Sequence, residues 1–145
     1  VSDDIMHITD WFPTLLGAAG ASVPEDRVID GIDQLDWLTG TEAASRRDGY
    51  VYWMGPEMYG VKWRNFKLML VAQKYSTDPP AKLSSPRLIN LTVDPQEREP
   101  INATYLHSWT VAHFNRLLGE FHASIEREPL IPMGAPLDHV PKAKD

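Results

Sequence analysis

Apolar positions along this chain change their spacing three times, and each spacing predicts a different element. Near the start, Leu15, Leu16, Ala18 and Ala19 form a short apolar stripe, as on one side of a helix. Asp10 stands ahead of it as an N-cap, where a carboxylate accepts from the unpaired N–H groups of the first turn. Pro13 then falls in that first turn, where a missing N–H costs little. Gly20 supplies the stop, so a helix is predicted over roughly 10–19. A loop with Pro24 and a turn at Asp30-Gly31 follow. Ile32, Leu35, Trp37 and Leu38 then suggest a short helix ended by Gly40.

From residue 50 the period becomes two. Tyr50-Val51-Tyr52-Trp53-Met54 reads as a strand, and Gly55-Pro56 breaks it. Residues 59–64 and 66–71 read as a hairpin across Arg64-Asn65. Residues 73–86 carry three prolines and three serines and are expected to be a long loop. Arg87 to Leu91 gives a fourth strand, and short links predict an antiparallel sheet. Asp94-Pro95-Gln96-Glu97 has the residues of a helix start: a cap, a proline at the first position and a glutamate that can reach back. Pro100 limits that helix to about one turn.

The last change is to a long helix, predicted over roughly 104–127. Phe114, Leu117, Leu118, Phe121 and Ile125 fall at i, i+3, i+4, i+7 and i+11, an apolar stripe suited to one face of the sheet. The final stretch, 129–145, holds four prolines and is expected to be extended. The fold class that emerges is α+β. A small antiparallel sheet of about four strands is packed by the long C-terminal helix and preceded by an N-terminal helix.

Composition narrows the function. The chain has 145 residues, 43% of them apolar, and a net charge of −6. It has no basic run or stripe, which argues against nucleic acid. No apolar run approaches the ~20 residues of a membrane-spanning helix. Cysteine is absent, which excludes disulfides, thiolate zinc sites and thiol nucleophiles; the compartment stays open. A first residue other than Met accords with an internal piece, a processed product or a shortened chain.

Candidate chemistry is sparse. His107 and His122 lie ~22 Å apart along a helix, and His113 and His122 point to opposite sides, so no single ion takes them together. Asp3, Asp4, His7 and Asp10 look like ligands for a hard cation. Acidic residues at a helix start are also favoured without any metal, and that is the reading adopted. Asn90-Leu91-Thr92 and Asn102-Ala103-Thr104 match the glycosylation acceptor pattern, but the first lies in a predicted strand.

Four phrases, in order, resemble the C-terminal part of a type I, formylglycine-dependent arylsulfatase. They are Asp10-Trp11-Phe12-Pro13-Thr14-Leu15-Leu16, then Asp30-Gly31-Ile32-Asp33 with Leu35, Leu38 and Gly40. Val61 to Leu68 follows, with Lys62 where the family usually has Arg. Last come Leu88-Ile89-Asn90-Leu91 and Asp94-Pro95-Gln96-Glu97. Ser84-Ser85-Pro86-Arg87 imitates the family's Cys/Ser-x-Pro-x-Arg nucleophile motif, but its arginine comes one position early and a strand follows.

The resemblance implies a division of labour. In the family the formylglycine, the ligands for Ca²⁺ or Mg²⁺ and the sulfate-binding cations all lie upstream of the Asp-x-x-Pro-Thr helix. This chain is therefore expected to hold no catalytic or metal site and to be inactive alone, while the parent enzyme hydrolyses sulfate esters. Residues 1–48 would be the C-terminal edge of a larger catalytic α/β domain, 49–128 the sulfatase C-terminal subdomain and 129–145 a tail. The expected partner is that catalytic domain. In isolation the exposed apolar residues Trp11, Phe12, Leu15 and Trp37 would favour a homo-oligomer.

The subdomain would also form part of the substrate-pocket wall. The candidate substrate-binding residues are Lys74, Tyr75 and Lys82, on the loop between the third and fourth strands: two cations for an anionic substrate and a ring for an aryl group. The rival reading is a stand-alone binding or oligomerisation module, with Tyr52, Trp53, Tyr59 and Trp63 stacking on sugar or aryl rings.

Overall fold

A computed structural model describes residues 2–26, 28–73, 75, 77–98, 106–129, 131–136 and 138–139. A 3-10 turn, Ile8–Asp10, leads into helix α1, Trp11–Ala18, and a one-turn helix α2 spans Leu35–Leu38. Strands β1, Gly49–Met54, β2, Glu57–Trp63, β3, Phe66–Ala72, and β4, Ala81–Asn90, form one antiparallel sheet in sequence order. Helix α3, Val111–Arg127, packs on β1 and β2. The α+β architecture expected from the sequence is present.

The core lies between α3 and the sheet. Val61, Trp63, Leu88 and Phe114 are buried together, with Val51, Phe66, Leu68, Leu117 and Leu118 packed around them. Period two places Val61 and Trp63 on one face, opposite Leu68 and Phe66 in the register of β2 with β3. Arg64 takes the left-handed conformation, φ 47°, to close the two-residue turn after Trp63, and its amide donates to the Asp48 carbonyl at 2.8 Å. Gly60 has no side chain for a spatial reason: a Cβ there would run into the Leu68 carbonyl and the Tyr52 ring.

Three elements differ from the sequence reading. Strand β4 begins at Ala81, so residues 81–86 are strand rather than loop, Lys82, Ser84, Ser85 and Pro86 included. Among the described residues β4 is an edge strand paired with β3 alone, and an edge tolerates a proline because one side needs no donors. The pairing also shifts between Met69 and Val71, opposite this stretch.

Residues 94–97 form a turn, not a helix. Asp94 still accepts from the Arg98 amide at 3.1 Å. Glu97 adopts φ 52° and reaches Lys67 Nζ on β3 at 2.8 Å, which directs its carboxylate to the sheet instead of back to a cap. The long helix starts at Val111, after a 3-10 turn at Ser108–Thr110; the predicted start at 104, and Asn102, lie outside the described residues.

Candidate functional site

Asp10 is the organising residue of the N-terminal third, in a role different from the predicted cap. Its side chain makes no cap bond to α1. It is fully buried and accepts from the His7 amide at 2.8 Å, the Ile32 amide at 2.9 Å and Arg47 Nε at 2.8 Å. Arg47 Nη2 completes the ion pair and also donates to the Asp30 carbonyl at 2.8 Å. The carboxylate turns toward Arg47 because a full charge there outweighs the partial charge of a helix end. Burial pushes the Asp10 carboxyl up. The Arg47 hydrogen bonds, then the Ile32 and His7 amides, more than offset that and hold it below the ordinary carboxylate range.

A second buried junction ties α1 to the segment before α2. Thr14 Oγ1 donates to the Asp10 carbonyl at 2.6 Å and accepts from the Gln34 amide at 3.0 Å. Gln34, itself fully buried, accepts from Ser45 Oγ and the Arg46 amide. Thr14 therefore anchors α1 to this chain through buried polar bonds.

The apolar side faces outward. Trp11 is 44% exposed, Phe12 48%, Leu15 60% and neighbouring Ile8 76%, while Trp37 is half-buried. The buried residues of α1 are Pro13 and Thr14. This inverts the usual order of a surface helix, whose apolar stripe faces the core.

The candidate substrate residues do not share one loop. Lys74 lies outside the described residues, and Tyr75 is 60% exposed in the β3–β4 connection. Lys82 sits on β4, where its ammonium pairs with Glu57 at 3.3 Å. With Trp53, Pro56, Leu70 and Pro86 they line an open groove of about 410 Å³. Glu57 was not a candidate from sequence. It lies 25 positions from Lys82, and pairing of β1, β2, β3 and β4 brings the two together.

The aromatic residues divide between core and surface. Trp63 and Tyr59 are buried and Trp53 is 38% exposed. His113 stacks on Trp63 with ring centres 3.9 Å apart, and His107 lies 5.0 Å from Phe66, so these two histidines are ring partners. Burial, followed by the charges of Glu97 and Tyr50, raises the Tyr52 hydroxyl well above the ordinary tyrosine range. Among the described residues no three His, Asp or Glu side chains converge as metal ligands. Of the acidic N-terminal run, Asp10 is held by Arg47, and Asp4 accepts from the Ser45 amide at 3.2 Å. The residues described do not fit the divalent cation of a sulfatase.

Comparison with known proteins places this arrangement. No family model matches the chain. Mouse steryl-sulfatase is 29% identical over 115 residues, covering 65% of this chain and 18% of that protein. Human arylsulfatase D is 36% identical over 56 residues, covering 39% of this chain and 9% of its own length. The chain is homologous to the C-terminal region of sulfatases. It spans less than a fifth of the length of these two relatives. The crystal structure of the PsFucS1 sulfatase from Pseudoalteromonas sp. superposes with a TM-score of 0.77 at 23% identity, over 90% of this chain and 28% of that one. A sulfatase structure from a study of glycosaminoglycan metabolism by Bacteroides thetaiotaomicron gives a TM-score of 0.57 at 22% identity. At that identity the structural likeness is one of fold. In this chain the matched region is an antiparallel meander under one helix, with a polar-anchored helix α1 beside it.

Proposed function

We propose that this region serves as the C-terminal subdomain of a sulfate ester hydrolase and docks through the outward apolar side of α1 onto the catalytic α/β domain. The observation that carries the reading is the inverted helix: Ile8, Trp11, Phe12 and Leu15 are open while Pro13 and Thr14 are buried. Clustered exposed apolar side chains mark a surface that is covered by something else. Similarity to sulfatases supports the reading that the cover is a sulfatase catalytic domain. In this reading residues 1–48 belong to the edge of the catalytic domain, 49–128 form the subdomain proper and 129–145 extend from it.

The division of chemistry follows. Sulfate ester cleavage needs dense positive charge around the sulfate group as the nucleophile attacks it and the alcohol leaves. The catalytic domain supplies the formylglycine nucleophile, the Ca²⁺ or Mg²⁺ and the sulfate-binding cations. This region contributes support and, through the β3–β4 side, part of the substrate-pocket wall, with Lys74, Tyr75 and Lys82 as its contributions to recognition. The test is hydrolysis of 4-nitrophenyl sulfate in Ca²⁺- or Mg²⁺-containing buffer by the purified chain. The expected rate equals buffer alone; turnover that survives repeated purification and scales with this chain overturns the proposal.

A further inference from the structure

We propose that the open edge of β1 docks an extended peptide of alternating apolar and basic residues, which adds to the sheet as an antiparallel fifth strand. The two edges of this sheet are unlike. β4 carries Lys82, Pro86 and Arg87, and such residues discourage pairing with another strand. β1, Gly49–Met54, has neither a charge nor a proline. The ladder shows which of its backbone groups face outward. The Arg64 amide donates to the Asp48 carbonyl, so Gly49 and Trp63 form a non-bonded pair of the antiparallel ladder, and Tyr50 and Lys62 form the bonded pair after it. Val51 opposite Val61 is again non-bonded. The N–H and C=O groups of Gly49 and Val51 therefore point away from β2, and among the described residues nothing pairs with them.

A groove of about 270 Å³ lies beside those groups. Leu117 and Phe121 of α3 form one wall, and His7, Thr9 and Asp30 form the other. The second wall is held in place by Arg47, which bonds both the Asp10 carboxylate and the Asp30 carbonyl. His7 lies against Tyr50, ring centres 5.4 Å apart, on the sheet face away from α3. An added strand turns alternate side chains to the two walls. Those directly opposite Gly49 and Val51 face Leu117 and Phe121, which calls for apolar residues. Those between them face Asp30, an exposed carboxylate that no described cation holds, which calls for lysine or arginine. Glu120, paired with Arg116, adds a second acid at the rim. Main-chain bonds to the edge supply affinity, and the two walls supply specificity. None of these residues belongs to the outward side of α1 or to the β3–β4 wall, so the site stands apart from the proposed function.

The experiment is an NMR titration of the full chain with an acetylated, amidated hexapeptide of alternating valine and lysine, read at the Gly49 and Val51 amides. Both should shift saturably, with a dissociation constant on the order of 0.1–1 mM, and their hydrogen exchange should slow. An antiparallel strand bonds through the residues directly opposite Gly49 and Val51, here the valines. N-methylation of the valine amides should therefore abolish binding, whereas N-methylation of the lysine amides should leave it. Glutamate in place of lysine should weaken binding. Asp30→Asn should weaken the lysine peptide ~3-fold, the scale of one exposed ion pair. The proposal is overturned if the unmodified peptide moves neither amide, if the valine-methylated peptide binds as well as it does, or if the glutamate peptide binds equally. It is also overturned if the two amides are protected in the free chain and lose that protection on dilution, since a second copy would then hold the edge.

Discussion

Asp10 shows how one carboxylate can do more for a fold than a stripe of leucines. It joins residues 7, 32 and 47 in one buried cluster, so its loss should free three segments together. Asp10→Asn leaves the Arg47 guanidinium without its counter-charge, and breaking a buried pair in this way costs ~3–5 kcal/mol; urea unfolding at neutral pH is the measurement. The same pair should make the chain acid-sensitive. Because the folded carboxyl lies below its unfolded value of 3.8, its contribution is complete above that value and drains as pH falls through the lower, folded one. Unfolding free energy measured from pH 5 downward should fall more steeply for the parent chain than for Asp10→Asn. Tyr52 gives the opposite case. Its hydroxyl is buried without a hydrogen-bond partner among the described residues, so Tyr52→Phe should be neutral or stabilise by up to ~1 kcal/mol. A loss above that range would reveal a partner for the hydroxyl.

At the scale of elements, α1 and α3 present contrasting uses of a helix. The stripe on α3 closes the core, with Phe114 1% exposed against Val61 and Trp63. The outward side of α1 adds nothing to this chain's own core, and that predicts a separation of effects. Replacing Leu15 and Phe12 by serine should leave urea stability within about 0.5 kcal/mol, as for other exposed positions. The isolated chain is expected to self-associate through this side, and the same pair of changes should then return it to monomer mass in sedimentation equilibrium. Unchanged association together with lost stability would mean that this side is packed internally. The β4 edge behaves as an element of its own kind. Pro86 sits within it, and an interior proline of that sort blunts pairing with another sheet.

For the whole molecule, charge and topology together set the expectations for ligands. With a net charge of −6 and no converging ligand set among the described residues, Ca²⁺ or Mg²⁺ at millimolar concentration should leave the melting temperature unchanged. A rise that grows with the logarithm of metal concentration would report a true site. The sheet is a simple meander, with each strand paired to its neighbours in sequence. Such a sheet is held mainly by local pairings and by the helix packed on it. No helix among the described residues is long and apolar enough to cross a membrane.

What the chain's own sequence settled was whatever depends on short-range periodicity. The two-residue turn at Arg64-Asn65, the aromatic strand from Tyr50 and the stripe from Phe114 to Ile125 were all legible, because each is written within a few residues. The sulfatase kinship was legible for a similar reason, in four short phrases. What only the tertiary structure decided depended on partners far along the chain. Asp10 left the helix end for Arg47, 37 positions away, and Glu97 left its cap for Lys67, 30 positions away. Full charges meeting across the fold outweighed the weaker local hydrogen bonds that propensity anticipates. The strand that absorbed Lys82 and Pro86 needed β3 beside it, and the Glu57–Lys82 pair needed the whole sheet. A sequence prescribes which side chains can pair, but long-range packing chooses among the pairs, because only folding brings them within a few ångströms.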